Sequence, residues 1–196
     1  MPGRFHGGLV KRHWRDYAFL VVVVGCIVFL DQWTKALVRE NLPLGHTWLP
    51  KSLDWLAPYA RIVHWYNTGA AFGMFRDAGL VFTVLAFVVA AAILYYYPRI
   101  PADDWSLRVA LGMQLGGALG NLIDRLTLGQ VTDFLSVGSF PVFNLADASI
   151  TLGVAVLLLG VWIKERAEKQ KAQVRSEAGN LQDENPVTGE ESVRGG

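Results

Sequence analysis

GGALGNLIDRLTLGQVTDFLSVGSFPVFNLADASI, residues 116–150, sets Asn121, Asp124, Arg125, Asp133, Asn144 and Asp147 at the ends of two strongly apolar segments. An unpaired charge costs roughly 2.5–3.5 kcal/mol at the centre of a bilayer, so polar groups retained beside apolar spans have a task. Gly112, Gly116 and Gly120 recur at intervals of four just before and within the stretch. This small-residue face suits close approach of a neighbouring helix.

Working outward, the whole chain is unusually apolar. Its 196 residues suit one domain, 52% are hydrophobic and only 18% are charged. Such a composition points to the membrane before it points to a soluble domain. With 18 basic residues against 17 acidic the formal charge is +1, which excludes a nucleic-acid binder that relies on a basic surface. Cys26 is the only cysteine and lies within an apolar run, so no disulfide or CxxC site forms within one chain. His6, His13, His46 and His64 lack the HExxH spacing, and solvated or interfacial histidines fit them better than zinc ligands. No metal or cofactor is called for.

Four apolar segments have the length to cross a bilayer, which takes about 20 residues. Residues 1–16 form a basic start, and residues 17–30 with the DQWTKALV that follows make the first span. The apolar core runs into Asp31 and Lys35 instead of a small-residue cleavage site, so it reads as a retained helix and not a signal peptide. Residues 80–97 make the second span, about 107–126 the third and 143–163 the fourth. Basic residues at the start, in the loop before Arg108, and at Lys164, Arg166, Lys169 and Lys171 put both chain ends inside. The fold class is therefore a membrane all-α core of four transmembrane helices, N-in and C-in. A small β-rich surface element is expected between helices 1 and 2, where residues 60–66, ARIVHWY, have strand composition. QVTDF alternates like another brief strand. The membrane core covers residues 17–171, and the polar composition of 172–196 suits a disordered tail after a helical continuation.

This topology gathers Asp31, Lys35, Asn67, Asn121, Asp124, Arg125, Asp133, Asn144 and Asp147 at the outer side. Asp31 and Lys35 stand four apart and can pair, either as an interfacial ion pair that ends the helix or as part of a site. Asn121 and Asp124 stand three apart, as do Asn144 and Asp147, so each carboxylate should have an amide near it. No G-x-S-x-G elbow, phosphate loop or dinucleotide fingerprint occurs, which leaves carboxylate chemistry. Two neighbouring carboxyl groups share a proton, one serving as base toward water and one as acid toward a carbonyl. Asp124 is followed by Arg125, which suits charge balance. Asp133 has apolar neighbours and no adjacent base, which raises its pKa, whereas Asp147 lies in the first turn of a helix, where the dipole favours a negative charge. Asp133 with Asp147 is the favoured pair, although spacing alone suits a proton relay equally well. A transporter would spread its acids through the bilayer, and a tetraspan scaffold would need only the glycine face. Neither aspartate lies in a GxGD pattern of the presenilin type.

Taken in order, DQWTK at 31–35, NTGAAF at 67–72, GGALGNLIDR at 116–125, VTDF at 131–134 and FNLADASI at 143–150 resemble the motif set of the lipoprotein signal peptidases, or signal peptidase II. The resemblance covers about 17–163. It implies a bacterial inner-membrane aspartyl endopeptidase that cleaves diacylglyceryl-modified prolipoproteins before their lipidated cysteine, near the periplasmic surface. The family's catalytic aspartates fall on Asp133 and Asp147. Asp31, Lys35, Asn67, Gly117, Asn121, Asp124, Arg125 and Asn144 then resemble site supports or substrate contacts. A periplasmic surface sheet, contact with membrane lipid and inhibition by globomycin are implied likewise.

Overall fold

The computed structural model describes residues 7–68 and 79–184. The chain divides into two compact units, Met1–Leu157 and Leu158–Gly196. Four long helices appear among the described residues: α1 (Gly7–Asn41), α2 (Gly79–Tyr96), α3 (Trp105–Leu128) and α4 (Leu145–Glu184). Of these, α1 over Tyr17–Asn41, α2 with its continuation over Gly79–Arg99, and α4 over Leu145–Arg175 are long and apolar enough to cross a membrane. The 24 residues of α3 match them in length, but Arg108, Gln114, Asn121, Asp124 and Arg125 make it less apolar. Its polar content is explained by its neighbours, because Arg108, Asn121, Asp124 and four glycines of α3 are buried.

The glycine face does what its spacing predicts. A methyl group placed on Gly112 would meet Val23, one on Gly116 would meet Ile27, and one on Gly120 would lie 2.6 Å from Asp31 Oδ2. These partners also recur every fourth residue, so α1 and α3 lie against each other along matched stripes. On the opposite flank Gly117 has the Ala146 carbonyl and Ile150 where its side chain would be, which brings the start of α4 against α3.

β1 (Thr47–Trp48), β2 (Ala60–Asn67) and β3 (Val131–Val137) form an antiparallel sheet in the order β1-β2-β3. The expected β element is thus not confined to the connection between helices 1 and 2. Its third strand comes from the segment after α3, because QVTDF supplies β-branched residues whose backbone groups pair with β2. Across the sheet Trp65 stands opposite Asp133 and Asn67 opposite Val131, with an irregularity between Ile62 and Trp65. Asn67 and Asp133 are therefore diagonal neighbours on one face. Residues 69–72 of the NTGAAF motif lie outside the described residues. His64 departs from the expected solvated state: it is buried on β2, with Nδ1 2.7 Å from the Leu42 carbonyl oxygen that accepts its proton. His46 is exposed, as expected.

The second unit holds the distal part of α4. Arg166 there lies over the Trp162 ring at 4.3 Å. The helix includes residues 172–184, whose composition suggested disorder, and residues 185–196 lie outside the described set.

Candidate active site

Along the last turns of α1, Asp31, Lys35 and Arg39 follow one another every fourth residue and share a face. Asp31 and Lys35 are both 0% exposed with their charged groups 2.8 Å apart, so this is no interfacial pair that merely ends a helix. A buried ammonium needs its protons matched. Lys35 Nζ meets Asp31 Oδ2, Asp124 Oδ2 at 3.2 Å and Asn121 Oδ1 at 2.9 Å. The second oxygen of Asp31 accepts the Ala146 backbone N–H at 2.9 Å, which fastens α1 to the first turn of α4. Asp124 accepts the Thr132 backbone N–H at 2.9 Å and the Gln32 side-chain amide at 3.1 Å, and lies 3.8 Å from Arg39. Arg39 also donates to the Thr132 hydroxyl at 3.0 Å. One ion cluster therefore joins α1, α3, α4 and β3. Asp124 pairs directly with Lys35, while its neighbour Arg125 interacts with it through space, since consecutive residues of a helix point about 100° apart.

Asn144 precedes the first residue of α4 and caps it. Its Oδ1 accepts the Asp147 backbone N–H at 3.0 Å, while its own backbone N–H donates to Asp147 Oδ2 at 3.2 Å. This reciprocal arrangement is a capping box with aspartate in the third position. With Oδ1 committed to the cap, the Asn144 side-chain amide is left to donate, and it does so to Asp133 Oδ1 at 2.7 Å. The remaining oxygen of Asp133 accepts from Asn67 Nδ2 at 3.0 Å, and Asp147 Oδ1 accepts from Asn121 Nδ2 at 2.7 Å. Each oxygen of both carboxylates thus receives one N–H, leaving each a second lone pair. Asn144 meets Asp147 as their spacing suggested, whereas the side-chain amide of Asn121 reaches Asp147 and not Asp124.

The short link between the two acids closes by a turn. Gly138 has φ 52°, a conformation glycine adopts without strain. The chain then doubles back so that Leu135 and Phe143 exchange backbone hydrogen bonds at 2.7 and 3.0 Å. Asn144 follows directly and lands beside Asp133. Burial and then the negative charge of Asp147 push the Asp133 carboxyl up to about 7, against the bonds from Asn67 and Asn144 that hold it down.

Asp31, Lys35, Asn67, Asn121, Asp124, Asp133, Asn144 and Asp147 are thereby brought into one connected network. Arg125 joins it through space, interacting electrostatically with Asp147, Asp133 and Asp124, and its guanidinium lies 5.5 Å from the Phe82 ring. Gly117 supplies no polar group but lets Ala146 approach. Three contributors escaped sequence reasoning: Gln32, Arg39 and Thr132. Gln32 stands next to a motif aspartate, and Thr132 next to Asp133, so adjacency was their only signal. Among the described residues no group of three or more His, Cys, Asp or Glu is arranged to hold a metal ion.

A family model described as Signal peptidase (SPase) II matches residues 23–163. The lipoprotein signal peptidase of Mesorhizobium japonicum is 41% identical over 169 residues, covering 83% of this chain and 94% of the relative. That of Anoxybacillus flavithermus is 34% identical over 160 residues, covering 80% of this chain and 92% of the relative. Two solved structures, each described as a bacterial membrane enzyme, have a similar fold. One has a TM-score of 0.66 at 24% identity and covers 89% of this chain and 94% of its own. The other has a TM-score of 0.64 at 27% identity and covers 72% and 91%.

Proposed function

The chain belongs to the signal peptidase II family, whose members are proteases that remove signal peptides from prolipoproteins, and we propose that it works as an aspartyl endopeptidase with Asp133 and Asp147 as its dyad. The substrate is a diacylglyceryl-modified prolipoprotein, cut before the lipidated cysteine. What carries this reading is Asn144, which bonds to both carboxylates at once.

In the proposed reaction Asp147 is ionised and Asp133 protonated. Water between them attacks the carbonyl carbon of the residue preceding the cysteine. Its proton passes to Asp147, and the Asp133 proton goes to the carbonyl oxygen, giving a neutral tetrahedral intermediate. Collapse breaks the C–N bond as Asp147 delivers its proton to the departing amine and Asp133 recovers one from the intermediate's hydroxyl. The dyad ends as it began. The asparagine neighbours hold the carboxylates but exchange no proton in this cycle.

Four crossings with both ends inside would set the dyad near the periplasmic surface of the inner membrane, with α3 as the crossing helix sheltered by the others. Diacylglyceryl chains lying among the apolar helices would then fix the height of the scissile bond, so lipid recognition becomes orientation. Globomycin is expected to inhibit by occupying the same place. The test is to incubate purified protein with lipidated and unlipidated precursor and to sequence the released peptide. Cleavage before the cysteine in the lipidated form alone is the expected result, and equal cleavage of both would overturn the lipid-anchored reading.

A further inference from the structure

Lys35 is fully buried, touches neither Asp133 nor Asp147, and takes no part in the proton transfers proposed above. Through an amide that it orients, it nevertheless leads to Asp147. An ammonium can donate and cannot accept, so Lys35 forces the oxygen of the Asn121 amide toward itself, at 2.9 Å. Asn144 Nδ2 donates to the same oxygen at 3.0 Å. The amide nitrogen of Asn121 must then point away, and it donates to Asp147 Oδ1 at 2.7 Å. An amide whose carbonyl is drawn on by a cation is a stronger donor through its nitrogen. Asp133 meets the same Asn121 oxygen through Asn144, but Asn144 donates to that oxygen and its own carbonyl is not drawn on by the cation; the donors to Asp133 are the neutral side-chain amides of Asn67 and Asn144.

The charged groups packed around the dyad sharpen the point. From α1 come Asp31, Lys35 and Arg39, from α3 Asp124 and Arg125, and from β3 Asp133 itself. Lys35 is shared by Asp31 and Asp124, so the trio carries a formal charge of −1, and Arg39 lies against it at 3.8 Å. Through space Lys35 acts on Asp133 and favours its charge, although the trio as a whole is net negative. Arg125 is a cation near both acids and interacts with each. Burial sets Asp133 apart, and the directed path through Asn121 is what reaches Asp147.

We infer that Lys35 is a positioning residue that makes the dyad asymmetric: acting through the oriented amide of Asn121, it assigns Asp147 the role of base toward water. This rests on the dyad reading of Asp133 and Asp147. Ion pairing and a structural fastening of α1 are its other consequences, and they do not require the Asn121 nitrogen to meet a carboxylate.

The test is the pH profile of kcat/KM for cleavage of a diacylglyceryl-modified prolipoprotein by the full-length protein in detergent. Asn121→Ala removes the path while leaving Lys35 with both of its carboxylates. Asp31→Asn/Lys35→Gln removes the cation and one anion together, so the formal charge of the trio stays at −1 while its hydrogen bonds have replacements. In each, the acidic limb of the profile should move to higher pH by about one pH unit, with kcat reduced and KM within about twofold of the wild type. The two variants disturb different groups, and a thermal melt identifies which are folded; one folded variant decides. A uniform fall in rate at every pH in a folded variant, with the limb unmoved, overturns the inference in favour of a purely structural Lys35. Asp147→Asn separates this from the underlying reading. If Asp147→Asn is inactive and the Asn121→Ala limb is unmoved, the relay fails and the dyad stands; if Asp147→Asn cleaves normally, both fail.

Discussion

Asp133 is a carboxyl held where its charge is disfavoured, buried on β3 and facing the charge of Asp147, and its pKa is pushed up to about 7. Between the ordinary 3.8 and about 7 the folded chain holds more protons than the unfolded one, so this residue makes stability fall as pH rises through that window. The loss is complete above it and amounts to at most about 4 kcal/mol. Asp133→Asn has no such titration. The difference in melting temperature, variant minus wild type, should therefore grow between pH 5 and pH 8, and a constant difference would contradict the raised pKa. Cleavage needs the protonated form, so the wild-type kcat/KM should decline above about pH 7. Among residues, the settings of Asp133 and Asp147 were legible in the sequence, because apolar neighbours and a helix start are local features. Gln32, Arg39 and Thr132 were not, since each acquires its role from contacts that include Asp124, about 90 residues away for the first two. The same holds for Asn121, whose nearest acid in the sequence is not the one it serves.

Helix packing is decided by the absent side chains of α3, and the consequences are graded by what each would strike. Gly117→Ala sets a methyl group against the Ala146 backbone carbonyl, one residue before Asp147, where little can yield. Gly120→Ala crowds Asp31, which holds Lys35 and Ala146. Both should lose at least about tenfold in kcat and roughly 1–3 kcal/mol of stability, as overpacking usually costs. Gly25→Ala on α1 meets nothing within 4 Å and should be neutral or slightly stabilising. Thermal melts and cleavage rates of the three variants check this order; a Gly117→Ala protein as stable and active as Gly25→Ala would contradict it. The glycine stripe, the helices and the strand in QVTDF could be read from periodicity alone. That β3 joins β1 and β2 in one sheet could not, because pairing between residues 60–67 and 131–137 is a long-range event with no local signature.

For the whole molecule, the proposed insertion leaves the segment after α1 outside and the segment after α2 inside. With Cys26 replaced by serine, a cysteine at Ser52 should react with a membrane-impermeant thiol reagent in intact spheroplasts, and one at Ala102 only after permeabilisation. The reverse pattern would invert the topology. Three of the four helices are long and apolar enough to cross a membrane, and α3 is less apolar because its Asn121 and Asp124 are matched by groups of α1, α4 and β3. The first unit brings together two carboxylates bridged by one asparagine, the proposed dyad. The measurement that tests it most directly is cleavage of diacylglyceryl-modified prolipoprotein by equal amounts of folded wild-type, Asp133→Asn and Asp147→Asn protein. Wild-type protein should release the signal peptide and each variant should be slower by about a thousandfold or more; near-wild-type cleavage by either variant would remove that aspartate from the dyad.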